Sequence, residues 1–178
     1  MIFRTLLVSY YSLFTQLPFL LAILSQQIFP NMVIILHYYK VSLPLFCECM
    51  TIFVTVAKYL APHFKKELEL FFEKVVFHYL GNISIFHQID HYLMEKVLLE
   101  SLIDIFNEPL ALELFYRNYD CDVYSLNLVS ILLSIVFTIL FSFLHYRSMK
   151  RLSIIIQQFF LIIRVLQKRW KIKVFRMI

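Results

Sequence analysis

Few residues in this chain have the types and spacing that chemistry requires. His87 and His91 stand four apart with Asp90 between them. On a helix both imidazoles would share a face, and a zinc ion would still need further ligands. No Glu follows the first His, so the metalloprotease pattern is absent. Cys47-Glu48-Cys49 is a C-x-C pair, with Cys121 remote. Three thiols with no framework spacing predict neither a disulfide scaffold nor a closed four-ligand metal site. Asp120 and Asp122 flank Cys121. A hydrolytic pair would need a nucleophile–base partner or an oxyanion donor, and no such motif accompanies them. A capping role fits these two carboxylates better, because each can accept hydrogen bonds from free backbone N–H groups at a helix start. No catalytic residue, cofactor or metal is therefore expected, and the chain reads as a non-enzyme.

The elements that position these residues follow from composition and punctuation. The chain has 178 residues, of which 61% are hydrophobic and 16% charged, with one Gly and five Pro. Average soluble domains are less apolar and more charged. One glycine excludes glycine-rich phosphate and dinucleotide loops and argues against tight β-hairpins. Helices are predicted over 5–25 (with a distortion at Pro18), from 32 after a turn at Pro30-Asn31, over 45–60, 64–80, 92–106 and 109–117, then roughly 124–146 and 149–170. Lys40, Ser42 and Pro44 mark one boundary, Pro62 the next, and Gly81-Asn82 a C-terminal cap. Asn107-Glu108-Pro109 restarts the chain. In 64–80, Phe64, Leu68, Phe71, Phe72, Val75, Val76 and Tyr79 fall on one face, with Lys65, Lys66, Glu69, Glu73 and Lys74 largely opposite. In 92–106, Leu93, Val97, Leu98, Leu102, Ile103 and Phe106 recur at helical spacing. Leu110, Leu114 and Phe115 are expected to point inward. Such alternation predicts an all-α fold of armadillo/HEAT-like stacked helical hairpins, a fragment of an α-solenoid.

A membrane reading competes. Residues 5–39 and 124–146 contain no Asp, Glu, Lys or Arg. Ser125–Leu144 has the length and composition of a span. Nine Lys and Arg lie between Arg147 and the C-terminus, and no acidic residue follows Asp122. A basic end rich in aromatics suits an anionic membrane surface or a partner helix better than nucleic acid. Its candidate lipid-contacting residues are Arg164, Lys168, Arg169, Lys171, Lys173 and Arg176. The amphipathic helices at 64–80 and 92–106, charged along one face, belong partly in water.

Residues 118–122, Asn-Tyr-Asp-Cys-Asp, follow Leu112-Glu113-Leu114-Phe115-Tyr116-Arg117. This resembles the signature box of the homology-upstream (HUS) domain in large Arf guanine-nucleotide exchange factors of the brefeldin A-inhibited and Golgi-transport type. Upstream, Phe64-Lys65-Lys66-Glu67-Leu68-Glu69-Leu70-Phe71-Phe72 resembles a helix of that family, and 94–109 the helix before the box. The resemblance covers residues 41–130. It sets a weakly matching apolar segment at 1–40 apart from the HUS-like region, and an apolar helix with a basic end at 131–178. It implies a non-catalytic regulatory scaffold in Golgi or endosomal vesicle transport, lacking the exchange domain. It also implies that Asn118, Tyr119, Asp120, Cys121 and Asp122 contact the dimerisation domain of an exchange factor, with small GTPase machinery served indirectly. The residues themselves suggest a rigid helix–helix corner: Asn118 left-handed and closing the first helix, Asp120 and Asp122 capping the second, and Tyr119 and Cys121 turned into the core. A small polytopic membrane protein with a basic cytoplasmic end is the alternative.

Overall fold

The computed structural model describes residues 2–81, 89–108 and 110–145. It is helical, without a strand among those residues. The chain forms two compact units, residues 1–97 and 98–178.

In the first unit, α1 is Ile2–Gln16, kinked at Tyr10 (φ −131°, ψ 31°). Leu17 is extended at φ −116° and ψ 94°, the conformation that the ring of a following proline favours. The expected helix over 5–25 is therefore two helices, broken rather than distorted at Pro18. The second helix, α2, runs unbroken over Pro18–Tyr38. Its course overturns the expected turn at Pro30-Asn31. A π-helical turn at Leu24–Ile28 lies just ahead of Pro30. Proline lacks an N–H and its ring clashes with the carbonyl four residues back. A locally widened turn absorbs both defects without ending the helix.

α3, Leu43–His63, starts where Ser42 and Pro44 predict. A π-helical turn at Val56–Leu60 and a 3₁₀ turn at Ala61–His63, which holds Pro62, finish it. α4 covers 65–81, with a π-helical turn at Phe72–Val76. Gly81 does not form the expected left-handed cap: among the described residues none has a positive φ, and Asn82 lies outside them. α5, Ile89–Asn107, begins inside the segment that reads from sequence as a loop through His91.

Residue pairs fix how these helices run. Phe46 meets Tyr79 at 5.2 Å between ring centroids, and Phe53 stacks on Phe71 at 4.1 Å. Rising numbers on α3 meet falling numbers on α4, so the two are antiparallel. On α2, Ser25 donates to Glu67, Phe29 lies 5.7 Å from Phe71, and the His37 Nδ1 lies 2.8 Å from the Lys74 carbonyl. Here both numbers rise, so α2 and α4 are parallel. Stacked helical hairpins produce this relation: helices one apart oppose, and helices two apart align. α1 joins α3 through the stacked rings of Tyr11 and Tyr59, 4.2 Å apart.

The core between them is aromatic. Phe29, Phe46, Phe53, Phe64, Phe71 and Phe72 are essentially without solvent contact. All seven residues of the apolar face predicted for 64–80 are buried. α2 and α3 are each long and apolar enough to cross a membrane. Within this unit they bury Phe29, Phe46 and Phe53 against α4, whose Lys66 and Glu73 are exposed. Glu95, at the end of this unit, is buried, and burial raises its carboxyl to about 7.

In the second unit, the end of α5 buries Leu98, Leu99, Leu102, Ile105 and Phe106. Helix α6 covers 111–120: an α-helical start at Ala111–Phe115, then a π-helical turn at Tyr116–Asp120. Pro109 lies outside the described residues. Leu110, expected inward, is 70% exposed. It precedes the helix and so escapes the inward stripe of Ala111, Leu112 and Phe115. α7, Leu128–His145, contains no Asp, Glu, Lys or Arg. The helix expected over 149–170 lies outside the described residues.

Candidate protein-interaction site

The box at 118–122 closes α6 and leads into α7. Phe115 packs on Phe106 at 5.7 Å and on Tyr119 at 5.5 Å between ring centroids. Tyr119 is 1% exposed. The π-helical turn sets this ring inward. Adding one residue to the turn rotates the following side chains relative to an α-helix. The turn closes when the Cys121 N–H donates to the Tyr116 carbonyl at 3.0 Å, five residues back. Asn118 therefore sits within a helical turn and does not take the left-handed conformation expected of it. Cys121 follows the turn and is exposed, not buried as expected. The expected alternation of Tyr119 and Cys121 belongs to an extended chain, and the chain here is still helical.

Asp120 caps α7. Its Oδ2 accepts the Val129 N–H at 2.9 Å, and its Oδ1 accepts the Ser130 N–H at 2.9 Å and the Ser130 hydroxyl at 2.7 Å. The first N–H groups of a helix have no partner within it. A carboxylate there satisfies two of them and sits at the positive end of the helix dipole. The residue at the ordinary capping position, Asn127, accepts the Ile131 N–H on its carbonyl at 2.9 Å, the first bond of the helix. The side-chain acceptor for Val129 and Ser130 is a carboxylate nine residues back from Val129.

Asp122 is expected to cap the same helix but does not reach it. α7 starts at Leu128, not near 124, so the closest free donors to Asp122 lie in the intervening turn. The Tyr124 N–H donates to its Oδ1 at 3.0 Å and the Ser125 hydroxyl to its Oδ2 at 3.2 Å. The Ser125 N–H donates to the Asp122 carbonyl at 3.1 Å. This is a β-turn over 122–125, reinforced by the Asp side chain that opens it. Val123 and Tyr124 occupy its two central positions and are 93% and 97% exposed. On the outer side of α6, Arg117 pairs with Glu113 at 3.2 Å.

A model of the HUS domain of Mon2/Sec7/BIG1-like proteins matches residues 1–128. The chain belongs to that family. The HUS match begins at the first residue and so takes in the apolar segment 1–40, beyond the 41–130 legible as a resemblance. It ends at the first residue of α7, whose tether to Asp120 the HUS box builds. No curated protein and no solved structure matches the chain.

The remaining candidates come together less. Cys47, Cys49 and Cys121 are free thiols. Cys49 is buried, and burial together with nearby Glu48 pushes its thiol up to about 11. Among the described residues, no group of three His, Cys, Asp or Glu side chains is placed to hold a metal ion. His87 lies outside the described residues, as do Arg164, Lys168, Arg169, Lys171, Lys173 and Arg176. Sequence reasoning missed Val123 and Tyr124 as surface residues. The signal was there, since an Asp two residues before the donor is the pattern of an Asx turn.

Proposed function

We propose that this chain is a regulatory scaffold region of a large Arf guanine-nucleotide exchange factor, acting in Golgi or endosomal vesicle transport. It binds the dimerisation domain of an exchange factor, on the same or a second chain, through the corner at 118–122. Through that contact it governs assembly, restraint of the exchange domain or membrane recruitment. The region is non-catalytic and serves the small GTPase only indirectly. It associates peripherally with Golgi or endosomal membranes, and the basic end from Arg164 to Arg176 adds attraction for anionic lipid of about 1 kcal/mol per side chain near the surface.

The observation that carries this reading is the coincidence of the HUS family match with a corner in which Asp120 locks α6 to α7. A corner held by directed bonds presents a fixed surface and has little freedom to lose on binding. The test is titration calorimetry of the purified chain against the dimerisation domain of a Sec7-type exchange factor. Saturable binding that weakens in Asp120→Ala supports the proposal. No binding by the folded wild-type chain contradicts it.

One observation favours a second reading, attachment to a bilayer. Phe137 is 51% exposed on a helix without charge, and Arg147, Lys150 and Arg151 follow it in sequence. Resistance to alkaline carbonate extraction would mark integral attachment, whereas a peripheral scaffold is released.

A further inference from the structure

Away from the corner, one pair of side chains has the types and the separation that a metal ion needs. His37 lies in the last turn of α2 and His78 in the last turn of α4. Their rings meet across the two helices, with centroids 5.0 Å apart and planes at 70°. We propose that His37 and His78 form a binding site for a divalent transition-metal ion of the zinc class, which ties the end of α2 to the end of α4.

Four observations support the site. The first is separation. Zinc bonds an imidazole nitrogen at about 2.0–2.1 Å and so sits about 3.2 Å from the ring centre, which puts two imidazoles at a tetrahedral angle roughly 5.2 Å apart. The pair stands close to that spacing. The second is orientation. The His37 Nδ1 lies 2.8 Å from the Lys74 carbonyl. A carbonyl can only accept, so Nδ1 carries the proton and the lone pair of the neutral ring is on Nε2. Metal-ligating histidines are held by this kind of bond to their other nitrogen. The ring of Tyr38, edge-on at 4.5 Å, adds a second restraint. The third is the field. α2 and α4 run parallel, so the negative ends of two helix dipoles lie side by side at this pair and favour a cation. The Lys74 ammonium, the charge nearest in sequence on α4 to the carbonyl that holds His37, is itself paired with Glu73 at 2.6 Å. The fourth is access. His78 is exposed and His37 half-buried. An ion can enter, and water can complete the coordination that two imidazoles leave open. Imidazole suits zinc, copper and nickel, whereas magnesium and calcium take oxygen ligands.

The test uses the full chain and zinc chloride alone, read by titration calorimetry and by the melting temperature with and without zinc. The wild-type chain is expected to bind zinc saturably and to melt higher in its presence. His78→Ala should weaken that binding tenfold or more and abolish the rise in melting temperature. His78 is exposed, so this variant keeps the test open if His37→Ala, which loses the bond to Lys74, fails to fold. His87→Ala, which removes one member of the pair legible in the sequence, should bind as the wild type does. Wild-type zinc affinity in His78→Ala overturns the assignment, as does its loss in His87→Ala or in Cys121→Ser. An equal response to magnesium chloride overturns the choice of ion.

Discussion

The first unit and the corner of the second are held together by different physics. Between α2, α3 and α4 the contacts are stacked and tilted rings of Phe29, Phe53, Phe64, Phe71 and Phe72. Burial there is non-directional, and one ring out of place is tolerated by its neighbours only at the cost of a cavity. At the corner the contacts are hydrogen bonds from N–H groups to the carboxylates of Asp120 and Asp122. These fix direction more than they add stability. The aromatic stack holds the helices together, and the corner sets where the chain leaves α6.

The contrast predicts a ranking. Phe71→Ala removes a ring shared by Phe29 and Phe53. It is expected to lower unfolding free energy by about 3–5 kcal/mol, read from urea midpoints. A loss near that of a surface substitution would deny the stack its role. Glu95 comes next. Its folded carboxyl is raised to about 7 from 4.5 by burial. A buried acid with a raised value binds more protons folded than unfolded, so stability falls as pH rises from about 4.5 to 7 and levels off above that range. Glu95→Gln should flatten this slope and be the more stable protein at pH 8, by about 1–3 kcal/mol. An unchanged pH profile would show that Glu95 is not buried as described. Asp120→Ala should lower stability by about 0.5–2 kcal/mol, less than the loss of one core ring. Asp122→Ala, which releases only a turn, should do less still, within about 0.5 kcal/mol. If Asp122→Ala proves worse than Asp120→Ala, the division of labour between the two carboxylates is reversed. The smallest effect is kinetic: Cys121 should react with a maleimide at neutral pH far sooner than Cys49, which is buried and held near 11.

The same contrast explains what could be read from the sequence. Apolar periodicity reports non-directional burial, and every residue of the stripe from Phe64 to Tyr79 is buried as read. Capping chemistry also left a trace, for the two Asp residues of the box were legible as acceptors. Their targets were not. Which N–H a carboxylate meets depends on where the next helix begins, and the Asx turn at 122–125 delays α7 to Leu128. Pro30 misled because proline is read locally, whereas the π-helical turn that accommodates it lies upstream. The outward Cys121 has the same origin, a π-helical turn that no simple period anticipates. The family match from residue 1 to 128 recovers the N-terminal segment, where apolar composition had drowned any motif.

Amide hydrogen exchange at the start of α7 tests the central claim, that the HUS box works by fixing this corner. In the wild-type chain, the Val129 and Ser130 amides should be protected by their bonds to Asp120. In Asp120→Ala that protection should fall about two- to thirtyfold, corresponding to about 0.5–2 kcal/mol, while amides of α4 keep theirs. Equal protection at Val129 and Ser130 in both proteins would contradict it.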